Sequence, residues 1–410
     1  MSLQFESAAA IAAGERPLDN PKLRVMQSAE TAAASANQTF FEHVYNFGKN
    51  AVTNPSSAEA GIALITGTAI VGSILAYRQR LAGMAVKELA GGVLPEASST
   101  LMPGLTTRSF MSEGLAREYS VYVPSTIKGL GKGEASPVLM ALDGLTVRNP
   151  AGSMGTVNGL NALAEREGFI AVYPRPQTRI LGQISAWNPG LLNPNAAYSD
   201  SKYLLGVLDD LGKTGLPIDS RQVYGATFSE GAIALNQAAQ AGRFAGVFNM
   251  SGTMLKSEAP AVGVKQNIVV RGELDPTLPA IGGPGPNSNL LTRLGHNRIF
   301  ESEPAQHAWR LAQANGFKGA PTVIEHPFVR ETIYPGAQTA TGAEVKEYVI
   351  KAPYGGHSWA GRAAGDGTES AVSGRNGPLT PGSVFDANSK IAEMIRQGKL
   401  AIERDLRPLR

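Results

Sequence analysis

The chain has 410 residues, 43% of them hydrophobic, with 37 Lys and Arg against 34 Asp and Glu and a formal net charge of +3. So mild a balance, with no long Lys/Arg run, does not suggest nucleic acid as a partner. Cysteine is absent, which excludes disulfides, thiolate metal sites and cysteine nucleophiles.

Two textures divide the chain. Residues 1–100 are rich in Ala, Ser and Gly and predict a helical region. The first twenty residues, with Glu6 early and only a short Ala-rich patch, lack the basic start and apolar core of a secretory signal. Localisation stays open between the cytoplasm, a membrane surface and export by another route. "SAETAAASANQTFFEHVYNFGKNAV" has apolar residues at helical spacing. Ala60–Tyr77 carries no charge over 18 residues, about 27 Å as a helix, which is borderline for a bilayer. Small residues recur along it at four-residue spacing, so it reads as a buried or partner-packing helix or as a membrane contact.

Residues 101–410 read as the catalytic domain. "YSVYVP", "SPVLMALDG", "GFIAVYP", "QVYGATF", "GVFNMSG", "NIVVRGE" and "KEYVIKAP" are short β-rich runs. Helical stretches such as "NGLNALAERE" and "SDSKYLLGVLDDLGKTG" lie between several of them. Strands alternating with helices predict a mostly parallel sheet covered on both faces. Sites in such sheets form at the carboxyl ends of the strands. Gly361 to Gly382 reads as a loop, and "VFDANSKIAEMIRQGKLAIERDL" as a closing helix.

"QVYGATFSEGAIAL" predicts a strand, a tight turn with Ser229 at its tip, and a helix. The pattern Gly-x-Ser-x-Gly marks a serine nucleophile on such an elbow. Here Thr227 stands in place of the first glycine, so Ser229 reads either as a nucleophile or as a helix cap. A serine nucleophile needs a base, and the base needs an orienting acid. "NIVVRGELDPTLPA" ends a strand with Glu273 and Asp275. "YVIKAPYGGHSWAGR" ends another with His357 in a glycine-rich loop. Serine, acid and histidine thus follow in the order this elbow predicts. His43, His296, His307 and His326 need only surface or packing roles, and no ligand spacing suggests a metal. No cofactor is expected. The candidate oxyanion donors are the backbone N–H groups of Glu230 and Leu145, with Gly144 permitting the turn. Trp187, Trp359 and Gly144 are candidate substrate-pocket residues, the two tryptophans reading equally as packing residues.

From Arg117 to the C-terminus the chain resembles the poly(3-hydroxybutyrate) depolymerase and feruloyl esterase family of α/β-hydrolases. "REYSVYVP", "LAEREGFIAVYP", Trp187-Asn188, "IDSRQVYGATFSEGA", "RGELDPTLP", "EPAQHAWRLAQANGF" and "GGHSWAGR" carry the resemblance. It implies an α/β-hydrolase fold and a serine esterase acting on polyester oligomers, aromatic or small acyl esters. It implies Asp275, rather than Glu273, as the acid, His357 as the base and Ser229 as the nucleophile, with Trp359 beside the base. The chain departs from the family at Asp143 and Leu145, where His and Cys are usual. It departs again at Thr227 and Ala232, where Gly is usual, and at Ala360, where Pro is usual. "LDGL" is also similar to mycobacterial mycolyltransferases, so acyl transfer stays open beside hydrolysis. The missing elbow glycine and the N-terminal region keep a third alternative, an inactive hydrolase-fold interaction protein.

Overall fold

A computed structural model describes residues 101–127, 135–144, 151–180, 184–187, 199–273, 275, 277–278, 280, 304–352, 354–361 and 385–406. The region 1–100, with Ala60–Tyr77, lies outside the described residues, as do Leu145, Asn188 and His296. Among the described residues, no helix is long and apolar enough to cross a membrane.

Strands β1 (Gly104–Ser112) and β2 (Leu115–Val123) form a hairpin, followed by β3 (Ser136–Leu142). Helix α1 (Leu160–Glu167) leads to β4 (Ile170–Pro174), then to a small hairpin of β5 (Thr178–Ile180) and β6 (Ile184–Ala186). Helix α2 (Asp200–Gly212), β7 (Ile218–Phe228), helix α3 (Gly231–Ala239), β8 (Gly246–Met250) and β9 (Gln266–Gly272) follow. Helix α4 (Pro304–Ala314), β10 (Thr322–Glu325), β11 (Val329–Tyr334), β12 (Glu344–Ile350) and helix α5 (Ala387–Leu406) complete the order.

The large sheet runs β1-β2-β4-β3-β7-β8-β9-β12-β11-β10. From β4 to β12 every pairing is parallel. The outer hairpins join antiparallel at each edge. This order, with β2 antiparallel beside a parallel run, is the α/β-hydrolase fold, as the alternation of strands and helices predicts.

The central strands explain themselves. All of β3 is buried. Leu139 and Ala141 enter one core cluster, and Val138, Met140 and Leu142 the other. A strand covered on both faces needs apolar side chains at successive positions. Helices α1 and α5 cover the first face through Leu160, Leu163, Ile391 and Ile395. Helices α2 and α3 cover the second through Leu204, Val207, Ala234 and Leu235. Helix α2 starts where the Ser199 side chain accepts from the Lys202 N–H at 3.3 Å. Its Tyr203, Leu204, Val207, Leu208 and Leu211 then face inward at helical spacing.

Chain order reverses direction across the sheet at β3. The chain passes from β3 out to β4, then returns to the other side of β3 as β7. Such a reversal opens a crevice at the strands' carboxyl ends. Leu142 and Thr227 are paired there.

Candidate active site

Ser229 sits between the end of β7 and the start of α3 with φ 52°. A left-handed backbone costs a residue bearing a Cβ roughly 1–2 kcal/mol, so the surroundings must impose it. Ser229 N–H donates to the Met250 carbonyl at 3.0 Å, and its own carbonyl accepts from Ala232 N–H at 3.2 Å. Two glycines let the chains close in. A Cβ on Gly231 would stand 2.7 Å from the Asp143 carbonyl oxygen. One on Gly252 would stand 2.7 Å from the Ser229 carbonyl oxygen and collide with Asn249 and Ala232.

Thr227 is accommodated by the same neighbours. Along β7, Tyr224, Ala226 and Phe228 face the α1/α5 core, so Thr227 faces α3. It is fully buried, and its hydroxyl donates to Asn249 Oδ1 at 3.4 Å. It borders a cavity of about 20 Å³ with Ala232, Asn236 and His307. The small Ala232 leaves the room that a threonine needs. The absent first glycine therefore does not obstruct the turn.

Acid and base meet through two more glycines. A Cβ on Gly272 would run into the Gly355 carbonyl, and one on Gly355 (φ 83°) would stand 2.9 Å from Gly272 Cα. This back-to-back crossing draws the loops after β9 and β12 together. His357 Nδ1 lies 2.8 Å from Asp275 Oδ2, and His357 Nε2 lies 3.1 Å from Ser229 Oγ. With Nδ1 donating to the carboxylate, Nε2 is left to accept from the serine hydroxyl. Asp275 and His357 are both buried, whereas Ser229 is half-buried. Burial alone would raise the Asp275 carboxyl. The neighbouring His357 and the amides of Leu278 and Thr277 outweigh it and hold the group below the usual carboxylate range. The Phe228 ring packs against the imidazole, with centroids 5.0 Å apart. Glu273, the other acid of that loop, accepts from Ala352 N–H at 2.7 Å and ties the two loops together.

On the opposite side of Ser229, Gly144 approaches so closely that a Cβ would lie 2.7 Å from Ser229 Cβ and 3.3 Å from Oγ. Asp143 shapes this approach. Its Oδ1 accepts from Gly144 N–H at 2.9 Å, and its Oδ2 accepts from the Ser153 hydroxyl. Leu145, the expected second oxyanion donor, lies outside the described residues. Glu230 directly follows the serine at the N-terminus of α3. Its Oε2 accepts from Trp187 N–H at 3.2 Å. Burial pushes its carboxyl up to about 8, against the lowering effect of that bond.

Both tryptophans are buried, and their contacts favour the packing role, one of the two that the sequence left open. Trp187 is 0% exposed, and its Nε1 donates to the Asp143 carbonyl at 2.7 Å. Trp359 is 1% exposed, packs on Phe248 and donates to Asn388 Oδ1 at 2.9 Å. It thereby ties the His357 loop to α5. Sequence reasoning missed Asp143, Ser153, Phe228 and Asn388. Only the departure at Asp143 carried a signal.

The remaining described histidines stand apart. His307 is buried on α4 with Nδ1 3.4 Å from Arg271 Nη2, and its surroundings hold it well below its ordinary pKa. Burial is the main cause, reinforced by the charges of Arg271 and Arg310. His326 is exposed, with Nε2 3.8 Å from Glu331. Among the described residues, no three His, Asp or Glu side chains gather as a metal site.

Fold and geometry define an α/β-hydrolase scaffold with a Ser–His–Asp hydrogen-bonded chain at the carboxyl rim of its sheet. No protein-family model matches the chain, and no curated protein matches it in sequence. Among solved structures it is similar to an S-formylglutathione hydrolase from Agrobacterium tumefaciens, at 15% identity and TM-score 0.39, over 64% of this chain and 92% of that one. It is similar to an acetyl xylan esterase from Aspergillus awamori, at 13% identity and TM-score 0.37, over 62% and 94%. It is also similar to FphF, a fluorophosphonate-binding serine hydrolase from Staphylococcus aureus, at 18% identity and TM-score 0.29, over 37% of this chain. The chain spans 58% of FphF and 57% of an S-formylglutathione hydrolase from the same organism. Likeness at this level carries no functional argument.

Proposed function

We propose that the protein is a serine carboxylic-ester hydrolase with Ser229 as nucleophile, His357 as general base and Asp275 as the acid that orients it. The observation that carries this reading is the continuous contact from Asp275 Oδ2 through His357 to Ser229 Oγ, at 2.8 and 3.1 Å. His357 Nε2 takes the hydroxyl proton as Oγ attacks the ester carbonyl. Asp275 keeps Nδ1 protonated and stabilises the imidazolium. The Glu230 and Leu145 N–H groups receive the oxyanion, at a contribution of about 3 kcal/mol for each such donor. His357 then protonates the leaving alcohol, and water releases the acyl group by the same steps in reverse.

The substrate class follows from the family resemblance: polyester oligomers, aromatic esters or small acyl esters. The test is hydrolysis of a p-nitrophenyl acyl series by the wild-type protein and by Ser229→Ala. Turnover by the wild type that is lost in the variant supports the reading. Equal turnover by both contradicts it. An added alcohol or sugar acceptor that captures the acyl group in place of water would reassign the reaction as acyl transfer.

A further inference from the structure

Glu230 offers two groups to one small region. Its backbone N–H is assigned to the oxyanion in the proposed esterase mechanism, and the role inferred for its side chain rests on that mechanism. Its carboxyl accepts from Trp187 N–H at 3.2 Å, and Trp187 Nε1 holds the Asp143 carbonyl at 2.7 Å. Asp143 in turn carries Gly144, the backbone that closes against Ser229. A single path therefore runs from the elbow, through the Glu230 side chain, to the strand end that faces the serine.

We propose that the Glu230 side chain is a positioning residue that joins the elbow to the Trp187–Asp143 brace and so holds the Gly144 strand end against Ser229.

The test compares kcat and KM at pH 7 for wild type, Glu230→Gln and Glu230→Ala, with circular dichroism and a thermal melt to monitor folding. Glutamine keeps the acceptor oxygen. Glu230→Ala, which breaks the path, should lose kcat rather than raise KM, and Glu230→Gln should recover most of that loss. Equal kcat for the Ala and Gln variants, both folded, overturns the proposal. A fluorophosphonate reporter separates the two levels. If it labels Ser229 in wild type but the Ala and Gln variants turn over alike, only the assignment to Glu230 fails. If wild type is unlabelled, the esterase reading fails and the role of Glu230 with it.

Discussion

The Trp187 indole reaches the strand end that faces the serine, donating from Nε1 to the Asp143 carbonyl at 2.7 Å. Trp187→Phe keeps most of the buried bulk and removes the donor. A buried carbonyl left without its partner costs about 1–3 kcal/mol. A lowered denaturation midpoint is expected, with kcat reduced and KM little changed. Unchanged stability and kcat would show that the indole only fills space.

Gly144 must be glycine on steric grounds. An alanine Cβ there would stand 2.7 Å from Ser229 Cβ, so serine and strand end must separate. Overpacking of this kind costs about 1–3 kcal/mol, and a shift near 1 Å at a reacting group costs about 10²-fold in rate. Gly144→Ala is expected to stay folded in a thermal melt and to lose about that much kcat. Retained kcat would contradict the placement of this backbone beside the serine.

The elbow's steric need lies at Gly252, not at residue 227. Thr227→Gly adds unfolded-state freedom, at about 0.5–1 kcal/mol, and also loses the packing of a buried side chain; it is expected to lower stability and to bring no gain in activity. Gly252→Ala drives a methyl into the Ser229 carbonyl, 2.7 Å away. It is expected to abolish turnover. Activity raised by Thr227→Gly, together with tolerance of Gly252→Ala, would reverse this assignment.

Asp275 separates chemistry from folding. Its Oδ1 accepts from Thr277 and Leu278 N–H, each at 2.8 Å, while Oδ2 faces His357. Asp275→Asn retains the first pair and spoils the second. A near-native melt is expected, with kcat down about 10⁴-fold, the scale seen when a triad aspartate becomes asparagine. Glu273→Gln serves as the control, because its carboxylate accepts from Ala352 N–H rather than from the imidazole, and glutamine keeps an acceptor oxygen there. Comparable losses from both would deny Asp275 its special role.

How much of the fold and site was legible in the sequence depends on what each residue signals. The strands buried on both faces announce themselves as apolar runs, so β3, β4, β8 and β9 could be read directly. The edge strands could not. All four residues of β10 are exposed, and β1 mixes Thr, Arg and Ser with apolar residues. Ser229 and His357 drew attention because each follows a strand among small residues and glycines, although His357 itself is buried. The choice of Asp275 over Glu273 came from the resemblance, and of these two acids Asp275 is the one hydrogen-bonded to the imidazole. The roles of the tryptophans were not legible, because an indole suits a pocket wall and a core equally well. Nor could Thr227 be resolved alone, since Gly252 and Ala232, which make room for it, lie on other elements.

The most direct measurement is covalent labelling by a fluorophosphonate, with the modified peptide located by mass spectrometry. One label per chain on Ser229 is predicted, absent in Ser229→Ala and strongly slowed in His357→Ala. Labelling elsewhere, or none on the folded wild-type protein, would contradict the account.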